Sequence, residues 1–436
     1  MRNDPEILRE KLLSIIREMS ESPSLFVKKP GQDFTRNRKL PFDAMLQILI
    51  SMGGNTIYKE LLEAQGFDVN TATTSAFVQQ RDKILPFALE FLLHEFMQSL
   101  SNPRLYRGYR LLGVDGSDTH IAVNPSDPNT FLQSNPDSKG YNLLHLNALY
   151  DLCNNVYIDT ITQPRLLANE GQALVDMVNR SRIGEKVILT ADRGYESYNT
   201  FAHIERKGWN YVIRVKDIGS NGILSGLRLP QTGEFDVTIH RILTRSQSKK
   251  FKALPDVYRI LSSAVKFDFL DEDNKSYPMS FRIARFKISD DTYETLITNL
   301  EQPDFSVDEL KNLYNLRWGI ETSFRSLKYS IGLVNFHAKK QEYIAQEIFA
   351  RIITYNFTMM IASHVIISQK DTQYDYQVNF TVAVHVCKRF LRPFNNVPVL
   401  EVEVLIGNNI LPVRPDRKFK RNIRKQSAVN FIYRVA

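Results

Sequence analysis

The chain has 436 residues, of which 43% are hydrophobic, so it is long enough for about three globular domains with a sizeable core. Its formal charge of +8 and pI near 9.2 favour a polyanionic partner, most often nucleic acid, although ribosomal and membrane-surface proteins share this balance. Two distant cysteines, Cys153 and Cys387, argue against a disulfide framework and a zinc site, and a charged N-terminus without an apolar signal core indicates a reduced, cytoplasmic setting.

The first region, residues 1–105, has a helical pattern throughout. Asp4 caps the first predicted helix and Pro5 occupies its first turn. A loop marked by Pro and Gly then carries basic residues, and the run SAFVQQRDKI begins a later helix. The basic residues of this loop are Lys28, Lys29, Arg36, Arg38 and Lys39. They form either a solvated loop or a contact to DNA, and the residues alone leave both open.

From Tyr109 the hydrophobic period changes to that of strands. The runs RLLGVDGS, LLHLNALYD and NVYIDTIT predict three strands, followed by a helix from Asn169 to Arg182. The strand KVILTAD, the helix SYNTFAHIERKG and the strand YVIRVK complete an order βββαβαβ. Alternating runs between about 218 and 303 predict a mostly β insertion, and the chain becomes helical again from Gln341.

One long helix is predicted from Ser306 to Gly332. Ser306 and Glu309 form a capping box, and Gly332 is a natural C-terminal stop. Six apolar residues fall on one stripe that faces a core: Leu313, Leu316, Ile320, Phe324, Leu327 and Ile331. Four polar residues lie together on the helix surface next to that stripe: Tyr314, Arg317, Glu321 and Lys328. Geometry alone also allows a solvated face with a weak Arg317/Glu321 pair.

The spacing Tyr-x2-Arg-x3-Glu-x6-Lys of these four residues resembles the signature that carries the last catalytic acid in DDE transposases of the insertion-sequence-four family. The resemblance implies an α/β protein: a ribonuclease H-like catalytic domain (106–340) with a β insertion, flanked by a helical DNA-binding domain (1–105) and a helical C-terminal region (341–436). Both basic segments of the first region also resemble their counterparts in this family.

The resemblance further implies a triad of carboxylates. Asp115 is predicted at the end of the first strand and Asp192 at the end of the fourth, which are neighbours in a ribonuclease H-like sheet, and Glu321 comes from the long helix. Together they would hold two divalent cations, Mg²⁺ with Mn²⁺ as a substitute, because hard cations take oxygen ligands. Singly, Asp115 could belong to a hairpin turn and Asp192 could cap the next turn. Asp118 is the rival for the first position.

Other residues of the long helix are implied to hold DNA phosphates, namely Tyr314, Arg317 and Lys328. Trp318 is expected to pack rather than stack on a base. Some relatives use a tryptophan of the β insertion to hold a flipped base, but this insertion has only tyrosines and phenylalanines as aromatic residues. His337 could equally contact DNA or be an ordinary loop residue.

The end of the chain is strongly basic. The segment RPDRKFKRNIRK is either a solvated tail or a contact to DNA phosphates, and the latter interpretation is favoured by Phe419 between the charges. The residues predicted to bind DNA here are Arg417, Lys418, Lys420 and Arg421. The apolar run from Ile348 to Ile367 contains polar residues and predicts a buried helix rather than a membrane span.

The sequence thus predicts a bacterial, nucleoid-associated transposase that binds the inverted-repeat ends of its own element as a homodimer and cleaves and joins DNA with divalent cations. Two alternatives remain open. His203 and Arg206 match the His-x-x-Arg of tyrosine recombinases, a weak signal. A non-catalytic DNA-binding descendant of a transposase would keep the basic surfaces but is expected to have lost an acid.

Overall fold

The computed structural model describes residues 4–36, 38–100, 102–230, 233–290, 292–367, 374–392 and 401–413. Its helices are α1 (Pro5–Glu21), α2 (Phe42–Ser51), α3 (Ile57–Ala64), α4 (Thr74–Arg81), α5 (Phe87–Gln98), α6 (Glu170–Arg180), α7 (Tyr198–Arg206), α8 (Lys249–Lys252), α9 (Val307–Leu316), α10 (Trp318–Ser326), α11 (Gln341–Ala362), α12 (Phe380–Leu391) and α13 (Val402–Gly407).

The longer strands of the described residues follow the predicted order, and three short strands near residues 131, 376 and 410 were not predicted. They are β1 (Tyr109–Ile121), β2 (Phe131–Leu132), β3 (Tyr141–Asp151), β4 (Val156–Pro164), β5 (Lys186–Ala191), β6 (Asn210–Val215), β7 (Phe235–Thr244), β8 (Tyr258–Ile260), β9 (Ser276–Ser289), β10 (Thr292–Thr298), β11 (Tyr376–Val378) and β12 (Ile410–Pro412). The protein is therefore a mixed α/β structure, as predicted.

A large central sheet holds the strands β1 to β10. Its order is β2-β3-β1-β5-β6-β10-β9-β7-β8, and β4 pairs with β3. β5 lies parallel to both β1 and β6, whereas β3 runs antiparallel to β1. The predicted β insertion continues this same sheet, because β10 pairs antiparallel with β6. The insertion is thus an extension of the central sheet and shares its hydrophobic core on the α7 side.

Helices cover both faces of the sheet. On one face α6 and α7 pack on β1, β5 and β6 through Leu174, Phe201 and their neighbours. On the other face lie α9, α10 and α11, which bury Leu313, Ile320 and Ile348. The second face also carries α1 to α5, because α11 packs against α2 and α5. The first and last helical regions therefore share one core, and the domain boundaries at 105 and 340 stay predictions.

The long helix predicted from Ser306 to Gly332 is interrupted. The capping box of Ser306 and Glu309 is present, and Gly332 ends the segment with a φ of +99°, a conformation that suits glycine. However, Arg317 separates α9 from α10, because its N–H bonds to Tyr314 O and its own carbonyl accepts from Ile320, which tightens the turn. Leu316 lies at this turn and is 47% exposed, so its predicted place on the buried stripe is wrong.

The C-terminal helix α11 is buried along most of its length, as predicted. Its polar residues have partners: Arg351 pairs with Glu347, and Asn356 bonds to the backbone of Tyr157. Among the described residues, no helix combines the length and apolar content that crossing a membrane requires.

Candidate active site at the carboxyl end of strand β5

The parallel pairing of β1 and β5 brings two acids together. Gly113 pairs with Thr190, so Asp115 on β1 and Asp192 just after β5 occupy equivalent positions two residues further on. Asp115 lies inside β1, which continues to Ile121 alongside β3. The predicted strand end and the alternative hairpin turn at Asp115 are therefore both wrong. Asp192 does cap the following turn, because its Oδ1 accepts the N–H of Gly194 at 2.7 Å.

Glu321 reaches the same place from α10, which packs on β1. Arg317 links the helix to the strand: its Nη2 donates to Glu321 Oε1 at 2.9 Å, and its Nη1 lies 3.8 Å from Asp115 Oδ2. The guanidinium is buried, yet its Nε has no hydrogen-bond partner among the described residues. Tyr314 is buried beside Arg317, with the guanidinium carbon 5.4 Å from the ring centre. Arg317 thus contacts Glu321 and lies near Asp115, and the charges of Asp192 and Glu321 both act on Asp115.

The charge at this spot is unbalanced. Burial, together with the negative charges of Asp192 and Glu321, raises the pKa of Asp115 to about 6, against the hydrogen bond from Gly116 and the charge of Arg317. Burial is the main cause of this shift, and the three carboxylates outnumber the single arginine beside them. A cluster of hard oxygen ligands with excess negative charge fits a divalent cation such as Mg²⁺, and the residues that would hold it are Asp115, Asp192 and Glu321.

Asp118, the rival acid, lies on the opposite face of β1, since it is three positions along the strand from Asp115. Its Oδ1 contacts His145 Nδ1 at 2.6 Å, and its Oδ2 accepts from Arg165 Nε at 3.0 Å. His145 Nε2 also lies 3.0 Å from Glu170 Oε1. These two carboxylates outweigh the effect of burial and raise the pKa of His145 to about 9, so it is a cation at neutral pH. Asp118 is thus part of an ion-pair cluster beside the triad.

Sequence reasoning missed Glu170, His145 and Tyr195, which surround the acidic site on the α6 side. Glu170 begins α6, and Tyr195 ends the short turn that follows Asp192. The only available signal was the position of Tyr195 directly after the strand that carries Asp192. His145 and Glu170 approach the site through tertiary contacts that no local pattern reveals.

The remaining predicted residues lie around this centre. Lys328 is half-buried in a π-helical turn (Leu327–Ile331), where burial lowers its pKa and the charge of Asp118 opposes that shift. Trp318 is 55% exposed, with the Arg317 guanidinium 5.2 Å from its ring, so the expected packing is wrong. It projects outwards from the tightened turn at Arg317. His337 is buried, and its Nε2 lies 2.9 Å from the carbonyl oxygen of Asn55.

Two predicted DNA-binding segments have different outcomes. The tail residues Arg417, Lys418, Lys420 and Arg421 lie outside the described residues. In the N-terminal loop, Lys28 pairs with Asp82 and Glu342, whereas Arg36 and Arg38 line a cavity of about 400 Å³ with Lys83. The remaining loop lysines, Lys29 and Lys39, are exposed.

A second group of ligand-type residues lies at the other end of α6. Glu90, His94 and Asp159 place one ligand atom each within 4.8 Å of one another, beside a cavity of about 600 Å³. Arg180 bonds to both carboxylates, with Nη1 2.8 Å from Glu90 and Nε 2.7 Å from Asp159. The guanidinium already compensates the charge that would attract a cation, so this group is an ion-pair network.

A family model described as the transposase DDE domain matches residues 107–357, more than half of the chain. The chain belongs to the transposase DDE domain family. Among solved structures it is similar to the piggyBac transposase in a cryo-EM synaptic complex with hairpin DNA, at 12% identity and a TM-score of 0.46 over 93% of this chain and 85% of that chain. No curated protein sequence matches.

The tyrosine-recombinase alternative rested on His203 and Arg206. In the structure both residues have contacts within and around α7. His203 Nε2 lies 2.9 Å from Asp268, and the guanidinium of Arg206 lies 4.8 Å from the ring centre of Phe269. Both residues are on α7, which packs on the face of the sheet opposite to α10. Arg206 also hydrogen-bonds to Tyr277, but burial raises the pKa of that phenol, which does not favour its use as a nucleophile.

Proposed function

We propose that the protein is a transposase that cleaves DNA strands and joins them to target DNA, with Asp115, Asp192 and Glu321 as catalytic residues and ligands of Mg²⁺ or Mn²⁺. The observation that carries this proposal is that Arg317 joins Glu321 of α10 to Asp115 of β1, while the parallel register of β1 and β5 places Asp192 beside Asp115. The family model covers all three residues. The non-catalytic alternative has no specific support, because no acid of the set is missing.

Bound divalent cations supply charge stabilisation for the attacking and leaving oxygens of a phosphodiester. The protein residues do the rest. The carboxylates would hold the cations, and Arg317 bonds to Glu321 while its Nε stays available to donate. A phosphate oxygen is a suitable acceptor for that donor, since charge-assisted bonds from guanidinium groups to phosphate are strong and directional. The ring of Tyr314 lies beside the arginine, with its centre 5.4 Å from the guanidinium carbon.

The proposed partners are the inverted-repeat ends of the element and the target DNA, held by a homodimer that joins two ends. Phosphate contacts are assigned to Tyr314, Arg317 and Lys328, and to the tail residues Arg417, Lys418, Lys420 and Arg421. The net charge of +8 supports such a partner. The finer assignments follow the sequence resemblance: a ribonuclease H-like domain, the insertion-sequence-four family, and action on the bacterial nucleoid.

The test is cleavage of a duplex that carries the element's end. Cleavage is expected with Mg²⁺ or Mn²⁺ and not in EDTA, whereas binding measured by gel shift should persist in EDTA. Asp115→Asn, Asp192→Asn and Glu321→Gln should each lower cleavage by about a thousandfold or more, because several kcal/mol of transition-state stabilisation are lost. Asp118→Asn is the control acid and should retain cation-dependent cleavage. Full activity in EDTA, or in any of the three variants, would refute this assignment.

A further inference from the structure

The side chain of Tyr195 ends beneath the acidic site. Tyr195 closes the short turn (Arg193–Tyr195) after β5, and Asp192 holds this turn through the N–H of Gly194. The ring is 1% exposed and belongs to the core between the sheet and α6. Its position is therefore fixed by the same turn that positions the carboxylate of Asp192.

The hydroxyl of Tyr195 has no hydrogen-bond partner among the described residues. The hydroxyl of Tyr314 is in the same position, whereas three other buried tyrosines have a partner: Tyr157 lies 2.8 Å from Ser323, Tyr211 donates to Glu205 at 3.0 Å, and Tyr150 pairs with Tyr355 at 3.0 Å. A buried polar group without a partner costs about 1 to 3 kcal/mol. A protein can carry such a cost at a site where the binding of a ligand provides the missing hydrogen-bond partner.

Charged groups of the acidic site act on this hydroxyl. The nearby charged groups are the carboxylates of Glu170, Asp115 and Asp192 and the guanidinium of Arg317. The glycine next to Tyr195 permits this crowding, since a Cβ on Gly194 would lie 3.0 Å from Asp192 Oδ1 and 3.5 Å from Glu170 Oε2. Asp115 Oδ1 accepts from Gly116, Asp115 Oδ2 lies 3.8 Å from Arg317 Nη1, and Asp192 Oδ1 accepts from Gly194.

We propose that Tyr195 is a positioning residue of the acidic site, whose hydroxyl donates to the Asp115–Asp192 carboxylate pair when a divalent cation draws these two carboxylates together. This inference rests on the proposed function. A carboxylate that ligates a cation through one oxygen presents the other to a donor, and such outer hydrogen bonds orient the ligand. A neutral phenol is the suitable donor because it adds no charge to the site.

The experiment compares Tyr195→Phe with Tyr198→Phe in the full chain. Tyr198 is the matched control: it is also buried, it lies one turn further on, and its hydroxyl bonds to the carbonyl of Ile223 at 3.4 Å. Mn²⁺ affinity is measured by titration calorimetry, the unfolding midpoint is measured in EDTA, and cleavage is measured against Mn²⁺ concentration. Asp192→Asn is included to show which binding belongs to the site.

Tyr195→Phe should bind Mn²⁺ about ten- to a hundredfold more weakly, as is usual for loss of a group that orients metal ligands. Its unfolding midpoint in EDTA should be equal to or above that of the parent, because an unpaired buried hydroxyl is removed. Its cleavage should recover at high Mn²⁺, unlike that of Asp192→Asn. Tyr198→Phe should keep the parental Mn²⁺ affinity.

The outcomes separate this inference from the proposed function. If the parent binds Mn²⁺, Asp192→Asn does not, and Tyr195→Phe binds like the parent, the role of Tyr195 is overturned and the proposed function stands. A lower unfolding midpoint of Tyr195→Phe in EDTA would also overturn it, by revealing a structural partner of the hydroxyl. If the parent binds no divalent cation and cleaves in EDTA, the proposed function fails and the inference fails with it.

Discussion

Arg81 and Arg317 are both buried arginines beside a glutamate, but their surroundings differ. Arg81 Nε donates to Gln346 at 2.8 Å, its Nη1 donates to Glu347 at 3.0 Å, and its Nη2 donates to the carbonyl of Tyr343. Every nitrogen of that guanidinium has an acceptor. Arg317 has one short bond, to Glu321, and its Nε has no partner among the described residues.

The carboxylates differ in the same way. Burial alone would raise the pKa of Glu347, but the charge of Arg81, the hydrogen bond from His337 and the charge of Arg351 lower it to about 2. The pKa of Asp115 is raised to about 6 instead. A buried polar network in which every group is satisfied stabilises one conformation, whereas an unsatisfied one indicates a site completed by a ligand. Arg81 and Glu347 thus serve the fold, and Arg317 and Asp115 serve the site.

The largest expected effect is that of Glu347→Gln, which leaves two buried arginines without their counter-charge. It should lower the free energy of unfolding by about 3 to 5 kcal/mol in urea denaturation at pH 7. Because the folded pKa of Glu347 is below its ordinary value of 4.5, its stabilisation is present above pH 4.5 and is lost as pH falls towards 2. The difference between variant and parent should shrink over that range.

Glu321→Gln is the matched control at the acidic site, and it should change the unfolding free energy by less than about 1 kcal/mol. Equal losses for the two variants would remove the distinction between a structural and a functional pair.

Asp115→Asn should stabilise the protein in EDTA, by about 3 kcal/mol at pH 7.5. The folded pKa of this acid is raised from 3.8 to about 6, so its charged form is disfavoured in the folded state. The destabilisation by the charged form of Asp115 is absent below pH 4 and complete above pH 6. The gain in unfolding free energy from Asp115→Asn should therefore also be absent below pH 4 and complete above pH 6. Urea denaturation of parent and variant at pH 4 and at pH 7.5 measures this difference in stability. Saturating Mg²⁺ should abolish the gain at pH 7.5.

Asp118→Asn should have the opposite sign, because contacts with His145 and Arg165 lower the pKa of Asp118 despite burial. If both substitutions destabilise the protein, the charged form of Asp115 does not destabilise the folded state. The contrast between Asp115 and Glu347 would then be wrong.

Arg317→Lys should weaken binding to the duplex end by about 2 kcal/mol, the order of one charge-assisted hydrogen bond, because lysine lacks the separate guanidinium nitrogens that would hold Glu321 and a phosphate from different sides. Arg81→Lys should instead lower the unfolding free energy and leave the affinity unchanged. Gel-shift titration of both variants measures DNA affinity, and urea denaturation of both measures stability. Each variant should be defective in only one of the two measurements. Reduced affinity in Arg81→Lys would show that the helix of Arg81 contacts DNA, as the sequence allowed.

The smallest effect concerns the aromatic rings on which these arginines lie. The Arg317 guanidinium is 5.2 Å from the exposed ring of Trp318, and the Arg81 guanidinium is 4.9 Å from Tyr343. An exposed cation–π contact contributes up to about 1 kcal/mol, so Trp318→Leu should cost no more than that in unfolding free energy. A loss well above this value would mean that the ring is packed in the folded protein, as first expected.

The sequence was sufficient for features that local chemistry determines. The order of strands and helices, the capping box at Ser306 and the stop at Gly332 follow from hydrophobic period, side-chain caps and the left-handed glycine. The full length of β1 did not, because its second half is stabilised by pairing with β3 rather than by an apolar run. The break at Arg317 also escaped prediction, since helical periodicity is preserved on either side of it.

Parts of the site could be predicted from the chain because a recurrent spacing marks Tyr314, Arg317, Glu321 and Lys328. The groups that surround the acids could not. His145, Glu170 and Tyr195 come from three separate elements, and only the folded sheet brings them next to Asp115 and Asp192. The same is true of Arg81, whose partners are more than 260 positions away along the chain.

The core shared by α1 to α5 and α11 also affects how the chain folds as it is synthesised. The first five helices end at Gln98, but α11, which packs against two of them, begins only at Gln341. At about 5 to 20 residues per second, a ribosome needs on the order of ten to fifty seconds to make the intervening segment. Throughout that time the N-terminal helices lack the surface that covers them. We therefore expect residues 1–105 to complete their fold only after α11 has emerged, and to remain incompletely folded when expressed alone.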